Sequence, residues 1–227
     1  MIYAMSDLHG CFDKYLTMLD KIKFSSKDTL YILGDVVDRG PDGIKILLDM
    51  VSRNNIVFIR GNHDQTTLKV LRKPADINNS FNDYESSLLL KSWVNDGGNT
   101  TIKQFTALTD KEKSRVIDYI QNSKIFVELT VNNKNYFLAH SFPEYDLMTG
   151  AWKDDINNFL WGEPDYEITY FPDKYIVTGH TPTGFIDDKY RGKIYIKNNH
   201  IAIDCGAVFA GGRLGCVCLN TMEEFYV

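Results

Sequence analysis

Three short apolar runs, "IYAMS", "TLYILG" and "NIVFIR", each give way to a polar loop and then to a helical pattern. The loops carry "DLHG", "GDVVDRG" and "GNHD". Helices are expected over 12–23, over 41–53 and after residue 64, and Pro41 suits the first turn of the second. Strands alternating with helices predict parallel βαβ units, and hence an α/β fold. In a parallel sheet the loops at the carboxyl ends of the strands lie side by side. Asp7, Asp35 and Asn62 stand 28 and 27 residues apart, about one unit each. Parallel pairing therefore gathers all three at one edge of the sheet.

The middle of the chain breaks this rhythm. Residues 75–124 are polar, with helical stretches near 84–95 and 110–122 interrupted by "DGGNTT". They read as a helical insertion lying over one side of the sheet, within a single domain spanning 1–227. "KIFVELTV" and "NYFLAH" flank "NNKN", a hairpin signal. "YIVTGH" is a further strand. "KIYIK", "HIAID", "RLGCVCL" and "EEFYV" read as antiparallel strands completing a second sheet.

Composition excludes some partners. The chain is 44% hydrophobic, enough for a sizeable core, and its net charge of −5 argues against a nucleic-acid duplex. Cys11, Cys205, Cys216 and Cys218 lack the paired spacing of a structural zinc site, so free thiols in a reducing compartment are expected. Cys216 and Cys218 share one face of a strand and read as core. The opening residues show no basic segment followed by a long apolar stretch, and nowhere do 18 apolar residues run together. A cytoplasmic enzyme with no membrane partner fits these limits.

The strand-end loops collect the chemistry: Asp7 and His9; Asp35, Asp38 and Arg39; Asn62, His63 and Asp64; His140; His180. Four of the five histidines fall there, leaving His200 as an exposed strand-end residue. Asp7 and His9, two apart, leave an extended chain on one face. Asp35 offers two oxygens and could bridge two ions. Mixed nitrogen and oxygen donors without thiolate point to manganese, iron or zinc. Two dications outweigh two aspartates, and the residual positive charge suits a phosphate and a bound hydroxide.

In this order, "DLHG", "GDVVDRG", "RGNHD", a later "AH" and a later "GH" resemble the motifs of calcineurin-like metallophosphoesterases. "GDVVDRG" and "RGNHD" resemble the serine/threonine protein phosphatase branch, especially its bacterial and phage members. The resemblance runs from residue 3 to about residue 219. It implies a sandwich of two mixed β-sheets flanked by helices. It implies that Asp7, His9 and Asp35 hold a first metal ion, and that Asp35, Asn62, His140 and His180 hold a second, manganese foremost. By the same resemblance His63, oriented by Asp38, is the general acid, and Arg39 clamps phosphate, a task its planar fork of donors suits. The implied activity is hydrolysis of phosphoserine or phosphothreonine by direct attack of a metal-bound hydroxide.

Two departures bear on substrate. Asp64 stands where that branch usually has Glu, as in many diadenosine tetraphosphatases, and Glu163 in "LWGEPD" stands where phage-type members carry a second phosphate-binding arginine. Arg191 and Arg213 are candidate replacements, though each also reads as structural. Segment 141–174 is acidic and aromatic. Were it to rim the site, it would discourage polyphosphates. The alternative activity is that of a symmetrical dinucleotide polyphosphate hydrolase.

Overall fold

A computed structural model of the chain describes residues 1–72, 84–142, 145–146, 149, 151–152 and 155–227. The first three strands are β1 (Ile2–Met5), β2 (Thr29–Leu33) and β3 (Ile56–Ile59), paired in parallel in that order. The intervening helices are α1 (Phe12–Lys21), α2 (Gly43–Met50) and α3 (Asn62–Leu71). α1 stops two residues short of the expected end because Lys23 turns left-handed (φ 52°). α2 starts beyond Pro41. The preceding backbone is tied to the first loop instead, Gly40 N–H to His9 O (3.0 Å) and Asp42 N–H to Gly10 O (3.1 Å).

α4 (Tyr84–Trp93), α5 (Asn99–Thr106) and α6 (Asp110–Gln121) follow, with a π-turn, Val94–Gly98, between the first two. A reciprocal cap starts α6: Glu112 N–H reaches Thr109 Oγ1 and Thr109 N–H reaches Glu112 Oε2. The first residues of the expected insertion, 75–83, lie outside the described residues.

The second sheet contains β4 (Phe126–Val131), β5 (Lys134–Ala139), β8 (Lys174–Thr178), β9 (Tyr195–Lys197) and β10 (His200–Ala202), in the order β4-β5-β8-β10-β9. Between β5 and β8 come the short pair β6 (Tyr145–Asp146) and β7 (Ala151–Trp152), and α7 (Ile156–Trp161); α8 (Thr183–Ile186) follows β8. The β4–β5 hairpin turns on Asn132 and Asn133, both left-handed. Two expectations for the last strands are corrected. β10 runs parallel to β8, and β11 (Gly215–Cys218) and β12 (Glu224–Tyr226) join the first sheet, in the order β12-β11-β1-β2-β3. The reason is the free edge of β1: β11 pairs with it antiparallel, Ala4 opposite Val217. Both sheets are therefore mixed.

Side chains alternate across each strand, so each sheet packs on two sides. Ala4, Leu33, Ile59, Leu138, Val177, Ile201 and Val217 meet between the sheets. Tyr3, Met5, Leu30, Ile32 and Phe58 face outward onto Tyr15, Met18, Ile44, Leu47 and Met50 of the helices. Trp93, Phe105, Val116 and Ile120 join this outer layer, so residues 84–121 cover that face. Cys216 and Cys218 point there too, buried as expected. Each fully buried Leu, Ile or Val contributes ~1.5–3 kcal/mol, which holds the strand ends in fixed relation. Among the described residues no helix is long and apolar enough to cross a membrane.

Candidate active site

Each expected site residue sits where a strand runs out. Asp7 and His9 follow β1; Asp35, Asp38 and Arg39 follow β2; Asn62 and His63 open α3; His140 follows β5; His180 follows β8. The loops lock together through their backbones. Asp7 N–H reaches Gly34 O (3.1 Å), His9 N–H reaches Asp35 O (2.8 Å) and Gly179 N–H reaches His140 O (2.9 Å). His180 N–H donates to Asp7 Oδ2 at 3.0 Å, which joins the edges of the two sheets. A Cβ on Gly61 would lie 2.2 Å from Asp35 Oδ1, so only glycine lets these loops approach.

The structure brings the nine residues to one edge of the sandwich, with Asp7 joined through the His180 N–H and outside both groups of facing ligand atoms. His9, Asp35 and His63 form one group able to hold a cation, and Asp35, His140 and His180 form another, with Asp35 common to both. Asp35 Oδ1 lies 3.5 Å from His140 Nε2, and Oδ2 lies 3.7 Å from His9 Nε2. Asn62 Oδ1 sits 2.8 Å from His140 Nε2 and 3.2 Å from His180 Nδ1.

The donor set fits cations. His140 has an acceptor at each ring nitrogen: Leu33 O at Nδ1 (2.8 Å) and Asn62 Oδ1 at Nε2. A neutral imidazole donates only once, and burial lowers its pKa, so it stays neutral. A cation would resolve the leftover pair of facing acceptors. Burial likewise lowers the pKa of His9 to about 3 and of His180 to about 4. Asp7 Oδ1 is buried without a hydrogen-bond partner. Burial, and then the nearby carboxylates of Asp204 and Asp35, push the Asp7 carboxyl well up, as expected of a group awaiting a counter-charge.

His63 differs from the other three histidines of the site. Its Nδ1–H donates to Asp38 Oδ2 (2.8 Å) and its Nε2 faces Arg39 Nη2 (3.0 Å). Burial opposes protonation, but Asp35 and the hydrogen bond to Asp38 outweigh it and raise the pKa. Asp38 is itself saturated: Trp93 Nε1–H donates to Oδ2 (2.7 Å) and Thr101 Oγ1–H to Oδ1 (2.6 Å). Arg39 also reaches His9 Nε2 (2.8 Å) and Asp96 Oδ1 (3.1 Å).

Sequence reasoning missed Trp93, Asp96 and Thr101, which carry the insertion onto Asp38 and Arg39. The one signal was "DGGNTT", read only as a break between helices. Asp64 registered as a departure from a pattern. Its carboxylate accepts the backbone N–H groups of Asp35 (2.8 Å), Val36 (3.1 Å) and Gly61 (2.9 Å), tying the second loop to the third. His200 is a correction: it is buried, with Nε2 2.8 Å from Thr178 Oγ1 and its ring 4.7 Å from that of Tyr166. Neither suggested replacement arginine is free: Arg191 pairs with Asp188, and Arg213 donates to Gly192 O (2.7 Å) above the Tyr226 ring. Glu163 is exposed. Of the acidic segment, 143–144, 147–148, 150 and 153–154 lie outside the described residues, and Glu167 pairs with Lys197.

Comparison with known proteins decides the family. Residues 1–184 match the model of calcineurin-like phosphoesterases. The chain belongs to the calcineurin-like phosphoesterase family. It is 30% identical over 180 residues to a symmetrical bis(5'-nucleosyl)-tetraphosphatase of Wigglesworthia glossinidia brevipalpis, a match covering 70% of this chain and 63% of that one. It is 26% identical over 226 residues to serine/threonine-protein phosphatase 1 of Salmonella typhimurium, covering 92% and 88%. A solved structure described as a candidate diadenosine tetraphosphatase superposes with a TM-score of 0.64 at 18% identity, covering 100% of this chain and 92% of that one. The sandwich of two mixed sheets is thus the family's fold.

Proposed function

We propose that this chain, folded as one metallophosphoesterase domain, is a dinuclear metal-dependent phosphomonoesterase acting on phosphoserine or phosphothreonine in protein. The observation that carries this reading is Asp35, a buried carboxylate common to two groups able to hold a cation. His63 completes the first of these groups in the structure, and its bond to Asp38 and contact with Arg39 support giving it the acid role and Asp7 the ligand role. Asp7, His9 and Asp35 would hold one divalent ion, and Asp35, Asn62, His140 and His180 the other, with manganese as the first choice and iron or zinc as alternatives. When bound, such ions polarise the phosphoryl group and lower the pKa of water.

The side chains around them supply binding and proton transfer. Arg39 presents its fork to the phosphoryl oxygens. His63 gives its Nε2 proton to the leaving alkoxide as the P–O bond breaks. Asp38 accepts the Nδ1–H bond, fixes the tautomer and steadies the imidazolium before transfer. The Wigglesworthia relative and Asp64 favour a second reading, hydrolysis of dinucleoside polyphosphates. A panel of phosphopeptides and dinucleoside tetraphosphates, run with manganese, separates the two. Faster turnover of the tetraphosphates overturns the first reading.

A further inference from the structure

The π-turn between α4 and α5 leaves the helical path at Asp96 (φ −93°, ψ 17°) and Gly97 (φ 101°, ψ 4°). Gly97 O accepts the Arg39 N–H at 3.1 Å, and a Cβ on Gly97 would stand 2.6 Å from that nitrogen, so the turn lies directly on the Arg39 backbone. This delivers the Asp96 carboxylate to the two groups assigned above to the phosphoryl and the leaving group. Oδ1 lies 3.1 Å from Arg39 Nη2, and Oδ2 lies 3.4 Å from His63 Nε2. The Asp96 side chain is 58% exposed while that of His63 is 4% exposed, so the carboxylate stands on the solvent side of the site. Holding His63 does not require it, since Asp38, Trp93 and Thr101 already do so. What Asp96 occupies is the donor face that an incoming phosphoryl oxygen needs.

We propose that Asp96 is a charge-selecting residue: its carboxylate competes with phosphoryl oxygens for Arg39 and His63, and so disfavours highly charged phosphates, orthophosphate included. The inference rests on the phosphoesterase reading and deepens it: Asp96 weakens the binding of a monoester dianion and weakens that of a more highly charged polyphosphate further. A carboxylate a few ångströms from a dianion opposes it more than it opposes a monoanion, and salt weakens the effect.

The test compares manganese-loaded wild type with Asp96→Asn and Asp96→Ala. The probes are p-nitrophenyl phosphate in its doubly ionised form, singly charged bis(p-nitrophenyl) phosphate as substrate or competing inhibitor, and orthophosphate as inhibitor. Both variants are expected to lower the monoester KM and the orthophosphate Ki by about two- to fivefold, the scale of one partly exposed charge contact, with a smaller change for the diester. The gap should shrink as ionic strength rises. Equal changes for both esters, or an orthophosphate Ki that stays constant or rises, overturn the proposal and leave Asp96 as a support for Arg39. Should wild type turn over no phosphoester, the phosphoesterase reading fails separately. Calorimetric titration with orthophosphate then still decides the role of Asp96, since tighter binding by the variants is required.

Discussion

Apart from Lys23 after α1 and Met222 before β12, left-handed non-glycine backbone among the described residues falls in two settings, and the residues found there differ. At the β4–β5 and β9–β10 turns it falls on Asn132, Asn133, Asn198 and Asn199. Asparagine tolerates this region well, so the turn chooses the residue. At the site it falls on Asp7 (φ 51°), His9 (39°), Asp35 (52°), Asp38 (68°), Arg39 (65°) and His180 (67°). For Arg and His such angles cost of order 1–3 kcal/mol each. Here the chemistry chooses the residue and the surrounding sandwich bears the strain. The two settings should therefore respond oppositely to mutation.

The largest expected effect is chemical. His63→Asn should slow alkyl phosphates by ~10²–10⁴ while aryl phosphates, which need little protonation, lose less. Equal losses on both would remove His63 from the acid role. Next is Asp64→Ala, which leaves three backbone N–H groups of the strained loops without their acceptor. A loss of about 2–4 kcal/mol in denaturant unfolding is expected, and less than about 1 kcal/mol would show that the loops hold themselves.

His200, which directly follows the Asn198–Asn199 turn, gives a pH test on the hairpin side. Burial lowers its pKa to about 3. Below about pH 6.5 the unfolded chain takes up a proton there that the folded chain refuses, so stability falls as pH falls, by up to about 1.4 kcal/mol per pH unit. Denaturant melts of wild type and His200→Gln at pH 7 and pH 5 check this. The variant should lose less on acidification, and parallel losses would contradict a buried neutral imidazole. The smallest effects set the two settings side by side. Asn133→Ala should cost about 1 kcal/mol and leave turnover intact. Arg39→Gly should raise stability by up to about 1 kcal/mol while KM for phosphoesters rises. Destabilisation by the Arg39 change would mean that its contacts outweigh its strain.

The same contrast explains what the chain disclosed before folding. The βα repeat was legible because strand, loop and helix recur within short windows, and it placed Asp7, Asp35 and Asn62 on one edge. The "NNKN" turn was legible for the same local reason. The sheet that β11 and β12 join was not, because the open edge of β1 decides it and lies over 200 residues away in sequence. Nor were the roles of Trp93, Asp96 and Thr101, whose contacts to Asp38 and Arg39 span some 55 to 63 residues. His200 was misread because a three-residue strand shows no alternation long enough to mark its buried face.

The proposed sharing of Asp35 between two cations is tested most directly by electron paramagnetic resonance of the purified protein titrated with manganese. Two ions per chain with an exchange-coupled spectrum are expected, along with loss of the coupling in Asp35→Asn. A single ion per chain, or two uncoupled ions indifferent to Asp35→Asn, would contradict it.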